Sequence, residues 1–268
     1  MRRTTLALLG LLVAAGCAGR SGVLRDHASA VEAQRLGRLD EAREIYRKIL
    51  LRDPTFEGAW NNLAALEWEQ AHTSEALAAI GEELRAHPGL LSARTNEVIL
   101  LYRTAGAAAA RPKAEALVAL GDPTGTAFLL LGLSHRGPGG DSKRALQAFE
   151  EAIILGPERL RSEALFARAL ALAAEGGASI EGAAKDFAAS ADLRPSAVAH
   201  YNAAVCLARL ARLPEADAAA EHAMALDAKA ALVPLLRAQL AIAASQPAVA
   251  ERHFAKALEL GAPEAPLR

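Results

Sequence analysis

The sequence predicts an all-α fold built from about seven stacked helix–turn–helix repeats, and three observations predict it. Hydrophobic residues make up 52% of the 268-residue chain while aromatics make up only 4%, so the apolar content is largely alanine and leucine, both strong helix formers. Pro54 and Pro88 bracket a unit with room for two amphipathic helices, the length of a helix–turn–helix repeat. Alanines recur on nearly the same ruler. The steps are 34 from Ala42 to Ala76, 69 from Ala76 to Ala145, 38 from Ala145 to Ala183, 33 from Ala183 to Ala216 and 34 from Ala216 to Ala250. A repeat of this length cannot bury its apolar face alone, so neighbouring copies must supply the core.

At the amino terminus, Arg2 and Arg3 precede an apolar run from Leu6 to Ala15 and then small residues, the order of a secretory signal. A ten-residue helix spans about 15 Å, half of a hydrocarbon core of about 30 Å, so this run is too short to cross a membrane. The stretch Ala14-Ala15-Gly16-Cys17 resembles a bacterial lipobox, with Ala14 standing where leucine is usual. That resemblance implies a signal peptide over residues 1–16, a fatty-acylated (palmitate-type) Cys17 as the lipid anchor, and a tether over residues 17–22. Ala18 follows the cysteine where an inner-membrane retention signal would usually show aspartate, so the expected location is the outer membrane, facing the periplasm. The alternative is cleavage by an ordinary signal peptidase and a soluble periplasmic protein.

The repeats then follow in order. Copy one (23–56) has Gly37 at its turn, then Ala42, Tyr46 and Pro54. Copy two (57–90) is the clearest, with Trp60, Leu63, Ala64, Ala76, Ile80 and Pro88. Copy three (91–123) is degenerate. After Tyr102 come Gly106, four alanines and Pro112, so its second helix is expected to restart at Pro112, where proline suits a first turn; the gap makes a soft joint. Copy four (124–157) recovers the pattern with Ala145, Phe149, Ala152 and Pro157 after a glycine-rich turn. Copies five (158–195), six (196–228) and seven (229–262) carry Ala183 and Phe187, Ala204 and Ala216, and Ala250 and Phe254. Residues 263–268 form a tail.

These residues identify the chain as similar to tetratricopeptide-repeat (TPR) proteins, whose unit of about 34 residues prefers large residues at positions 4, 11 and 24, small ones at 8, 20 and 27, and proline at 32. The resemblance implies a right-handed superhelix of helical hairpins, an α-solenoid, and a role in protein–protein interaction. In this family the front helices carry the partner-binding positions. Here those positions hold Asn61, Asn62 and Trp68 in copy two, Asn96, Tyr102 and Arg103 in copy three, and Tyr201, Asn202 and Arg209 in copy six. Tryptophan, tyrosine and arginine are enriched in binding hot spots. The family's lysine clamp for a C-terminal carboxylate is missing, since Asn61, Ala65, Thr95 and Ile99 occupy its positions.

No chemistry emerges beside this. The near-neutral balance of 30 basic and 31 acidic residues lacks the clustered positive charge of a nucleic-acid interface. The glycine-rich segment from Arg136 to Lys143 departs from a phosphate-binding loop, because Lys143 follows Ser142 rather than glycine and no strand precedes it. The seven histidines show no zinc-helix spacing, and Cys206 sits among apolar neighbours as a small buried thiol. With repeats occupying 23–262, no space remains for a catalytic domain. The expected protein is a non-enzymatic scaffold with no catalytic residue, metal, small-molecule substrate or cofactor beyond the lipid on Cys17. It resembles pilotin-type lipoproteins and the TPR lipoproteins of motility and secretion complexes, which implies help in assembling an envelope machine such as a type IV pilus secretin. Adaptors for peptidoglycan enzymes or for outer-membrane protein insertion are the alternative, and a peptidoglycan-active or nucleotide-binding enzyme is the reading from another class.

Overall fold

The computed structural model describes residues 21–137 and 139–262. The signal segment, Cys17 and the tail 263–268 lie outside the described residues. Within them the chain is all helix, with fourteen helices and no strand. The first, α1, covers residues 21–35. It is followed by α2 (Leu39–Arg52), α3 (Ala59–Glu69), α4 (Thr73–Ala86), α5 (Leu91–Thr104), α6 (Ala107–Ala119) and α7 (Thr126–Arg136). Then come α8 (Ser142–Leu155), α9 (Glu158–Glu175), α10 (Ser179–Leu193), α11 (Ala197–Arg209), α12 (Leu213–Leu226), α13 (Leu232–Ala243) and α14 (Pro247–Glu259). They pair as seven hairpins, and the chain divides into two compact units, one ending at Leu120 and the other beginning at Gly121. No helix among the described residues is long and apolar enough to cross a membrane.

The small residues set how closely each hairpin closes. Ala42, Ala76, Ala145, Ala183 and Ala216 are completely buried, and Ala250 is nearly so. Facing them in the front helices are Ala30, Ala64, Ala169, Ala204 and Ala238, also buried. In the fourth hairpin the facing residue is Gly132, where an added Cβ would lie 2.5 Å from the Phe149 ring. A large residue on one helix thus fills the space that a small one on its partner leaves, at the packing density interiors require.

The third hairpin differs from the sequence expectation. Its second helix does not restart at Pro112; α6 begins at Ala107, directly after Gly106 (φ +87°), and carries Pro112 inside it. Alanine has the highest helix propensity, so the run 107–110 extends the helix upstream past a residue that cannot donate to the carbonyl four positions back. The hairpin also has its own ruler alanine. Ala110, a step of 34 beyond Ala76 and of 35 before Ala145, is fully buried.

The turns inside the hairpins recur as well. Gly37, Ala71, Ala211 and Ser245 are left-handed (φ between 57° and 72°). Each is followed by an N–H that reaches back five residues, as Arg38 to the Ala33 carbonyl and Arg212 to the Leu207 carbonyl. This 6→1 bond closes the front helix. Three of the four positions are not glycine, and a left-handed L-residue costs about 1–2 kcal/mol.

In the first unit, ion pairs join the first two hairpins and a buried cap closes the second. Glu67 is buried, accepts from Arg43 Nε at 3.0 Å, and lies 2.8 Å from His72 Nδ1. Glu83, which stands where alanine is the family preference, is fully buried and accepts from the backbone N–H of Gly58 and of Asn61, both at 3.0 Å. Gly58, the residue before α3, has no side chain to cap that helix, so Glu83 does so from α4. A carboxylate satisfies two orphan donors and meets the positive end of the helix dipole. In the fifth hairpin the equivalent position is Ser190, whose hydroxyl donates to the Ser162 carbonyl at 2.9 Å.

Candidate functional site

Because helices α3 and α5 lie side by side in the first unit, the residues predicted to bind a partner in copies two and three come together there. Ala65 and Trp68 of α3 and Asn96 and Ile99 of α5 line a cavity of about 130 Å³. The Arg103 guanidinium sits 5.3 Å from the centroid of the Trp68 ring, a cation–π arrangement that holds both side chains at the rim. Tyr102 is half-buried beside it on α5. The volume falls below the few hundred Å³ of a small-molecule pocket and suits a single side chain of a partner.

Two of the asparagines are placed differently from expectation. Asn61 is buried, 8% exposed, and its side-chain oxygen accepts from Asn96 Nδ2 at 2.8 Å. Its backbone N–H is held by Glu83 of α4 while its side chain meets Asn96 of α5. Asn62 lies 3.4 Å from His27 Nε2 on α1, next to the ring cluster of His27, Tyr46 and Phe56. Burial pushes the Tyr46 hydroxyl above its ordinary value, with the nearby Asn62 amide opposing it, and burial lowers His27. Asn61 and Asn62 thus join neighbouring hairpins, while Trp68 lines the cavity beside Asn96 and carries Arg103 over its ring.

A larger groove lies in the second unit, along front helices α7, α9 and α11. Its cavity of about 570 Å³ is walled by Leu129, Leu133, Phe166, Leu170 and Val198. Val198 is 59% exposed, and Phe166 stands edge-on to Phe187 at 5.3 Å. Arg136 and Arg194 mark the polar margin, with Arg194 Nη1 3.7 Å from Glu163. Leu133, Phe166 and Leu170 are half-buried and Leu129 is buried, so the strip is a partly exposed apolar groove with charged ends, the anatomy of a protein-binding patch. Of the copy-six residues predicted to bind, Tyr201 is half-buried and packs against the Ala204–Ala216 cluster. Asn202 is half-buried. Arg209 donates to the Ala173 carbonyl at 3.3 Å, at the end of α9.

The sequence reading did not single out the apolar walls of this second groove. A signal was present: Leu129, Leu133, Phe166 and Leu170 fall at positions 5 and 9 of copies four and five, the register used for copies two and three. Leucine is under-represented in binding hot spots, so these residue types do not mark a binding face by themselves.

The glycine-rich turn between α7 and α8 offers no open anion cradle. Asp141 caps α8 by accepting from the backbone N–H of Lys143 and Arg144, so the donors a phosphate would use are taken. Among the described residues no group of three or more His, Cys, Asp and Glu side chains could hold a metal ion. The Cys206 thiol is buried, and burial pushes its pKa up, the opposite of an activated nucleophile.

No family model matches the chain, and no curated protein matches its sequence. Solved structures do match its fold. The C-terminal part of a TPR repeat-containing protein from Cytophaga hutchinsonii superposes with a TM-score of 0.68 at 14% identity, covering 90% of this chain and 97% of that one. PilF of Pseudomonas aeruginosa gives 0.64 at 16% identity, covering 76% and 90%. The Cut9–Hcn1 hetero-tetramer of APC/C gives 0.68 at 16% identity over 81% of this chain, and the chain spans 42% of that protein's length. At these identities the likeness is one of fold, and the fold is that of tetratricopeptide repeats.

Proposed function

We propose that this tetratricopeptide-repeat chain is a non-enzymatic scaffold of the cell envelope, an outer-membrane lipoprotein anchored through Cys17 that helps assemble or steady an envelope machine. The observation that carries the scaffold reading is the apolar groove of α7, α9 and α11. It is a largely apolar front-helix strip of about 570 Å³, walled by Leu129, Leu133, Phe166, Leu170 and Val198. The envelope part rests on the Arg2–Cys17 segment and its lipobox resemblance. The choice of a type IV pilus secretin or a motility complex as the machine draws on the fold likeness to PilF and on the resemblance to pilotin-type lipoproteins.

Deleting the gene and scoring secretin multimers and motility tests the machine. Loss of multimers, restored by the wild-type chain and not by Cys17→Ser, is the expected result. Intact multimers and normal motility overturn the pilotin reading. An unchanged acylation signal in Cys17→Ser overturns the anchor.

A further inference from the structure

A second groove in the first unit lies on another flank of α3, facing away from the Trp68 cavity. Its two walls are back helices with matching periodicity. Arg47, Leu50, Leu51 and Pro54 line the α2 side, and Glu75, Ala78, Ala79 and Glu82 line the α4 side. The α4 set runs i, i+3, i+4, i+7, one stripe of a helix, and on the α2 side Arg47, Leu50 and Leu51 share a stripe that Pro54 continues just past the helix end. Trp60 and Leu63 of α3 make the floor, and the cavity measures about 780 Å³. Leu51 is 86% exposed, an unusual position for leucine beside an open apolar trough. The corresponding groove between α12 and α14 holds only about 220 Å³ and is lined by the Arg237–Asp217 ion pair at 2.7 Å. A wide apolar trough is therefore not what this repeat geometry gives by default.

The charges around the trough are unequal. Arg47 is held within the protein by Glu44 at 3.1 Å and Glu67 at 3.6 Å. On the opposite wall, Glu75 has no ion-pair partner among the described residues and accepts from the Ser74 hydroxyl at 2.9 Å. Glu82 meets Arg85 in an exposed i, i+3 pair, the kind that contributes little and exchanges readily. Two carboxylates thus stand two helical turns apart, about 10.5 Å along α4, with the small side chains Ala78 and Ala79 between them.

We infer that this trough docks an amphipathic helix of a partner protein, with bulky apolar residues at two adjacent central positions and lysine or arginine at i and i+7 about them. The alanines let the partner backbone approach, Leu51 and Trp60 cover its apolar residues, and Glu75 and Glu82 receive its two cations. This site is separate from the front-helix grooves, so it gives the scaffold a second hand on its back face.

The test uses the full mature chain and a fluorescent alanine-based helical peptide carrying Lys-x-x-Leu-Leu-x-x-Lys, with a Glu-x-x-Leu-Leu-x-x-Glu peptide as its counterpart. The lysine peptide is expected to bind at least tenfold more tightly than the glutamate peptide. Glu75→Lys/Glu82→Lys should reverse that order, and Leu51→Asp should weaken binding at least tenfold with an unchanged melting temperature. Equal affinities for the two peptides overturn the inference, as does indifference to Leu51→Asp. Sedimentation in which Leu51→Asp turns a dimer into a monomer also overturns it, because a second copy would then be the occupant.

Discussion

Removing the carboxylate of Glu83 tests the packing logic of the first unit at its most loaded point. Glu83 is fully buried and accepts two backbone N–H bonds of 3.0 Å at the start of α3. Hydrogen bonds to a charged partner contribute about 1.5–3 kcal/mol each, and the loss of both strands buried donors. Alanine occupies the same register in other hairpins, at Ala152, Ala223 and Ala257, so the shorter side chain is compatible with the backbone there. Non-additivity and partial refilling by water reduce the sum, and Glu83→Ala is expected to cost about 2–4 kcal/mol. Glu83→Gln keeps the shape and offers one acceptor in place of two, so its cost should be about half. Urea unfolding followed by circular dichroism measures both, and hydrogen exchange reads the site directly. The Asn61 amide should exchange at least tenfold faster in Glu83→Ala, while Ala204 of the second unit stays unchanged. A cost below about 0.5 kcal/mol, the least that one ordinary hydrogen bond contributes, together with an unaltered Asn61 amide refutes the assignment of Glu83 as the cap of α3.

Three further outcomes follow from the geometry. Gly132→Ala drives a methyl into the Phe149 ring and should lose about 1–3 kcal/mol in the same urea assay; an unchanged midpoint would mean the fourth hairpin can open freely. Ala211→Gly relieves a left-handed alanine (φ 57°), and after the entropy of glycine is set against that strain it should gain about 0.5–1 kcal/mol; a loss contradicts the strained-turn account. Burial lowers the pKa of His27, of His200 (aided by His222, against Asp192) and of His253 (aided by Arg237 and Arg252, against Asp217). The unfolded chain therefore binds protons first, so stability is full above the unfolded histidine value of about 6.5 and declines as pH falls below it. The melting temperature should drop between pH 7.5 and 5.5, and a flat or rising profile would show that these histidines do not resist protonation.

The repeat was legible because it is written in residue size. A small residue once per repeat and a large one four positions later are demands of interhelical packing, so Ala42, Ala76, Ala183 and Ala216 could be placed before any coordinates. Ala110 escaped for the converse reason: within a run of four alanines no member stands out, and Pro112 looked like a helix start. Glu83 was illegible in another way. Its partners are backbone N–H groups 22 and 25 residues away, and those have no residue type to read. The front-helix register placed Trp68 and Asn96 on facing sides of α3 and α5, where they line one cavity, but it could not say that Asn61 and Asn62 would be taken up by Asn96 and His27. In the second unit the groove is made of leucine and phenylalanine, which sequence alone reads as core.

In the proposed scaffold, the front-helix groove of the second unit holds a protein partner. Cross-linking in intact cells from a photoreactive residue at Val198, with identification of the adducts, tests it most directly. The expected result is a discrete envelope-protein adduct that disappears with Leu133→Ala/Leu170→Ala while the melting temperature shows the fold intact. An identical adduct pattern in that variant, or cross-linking from Val198 no stronger than from an exposed position such as Glu251, would contradict it.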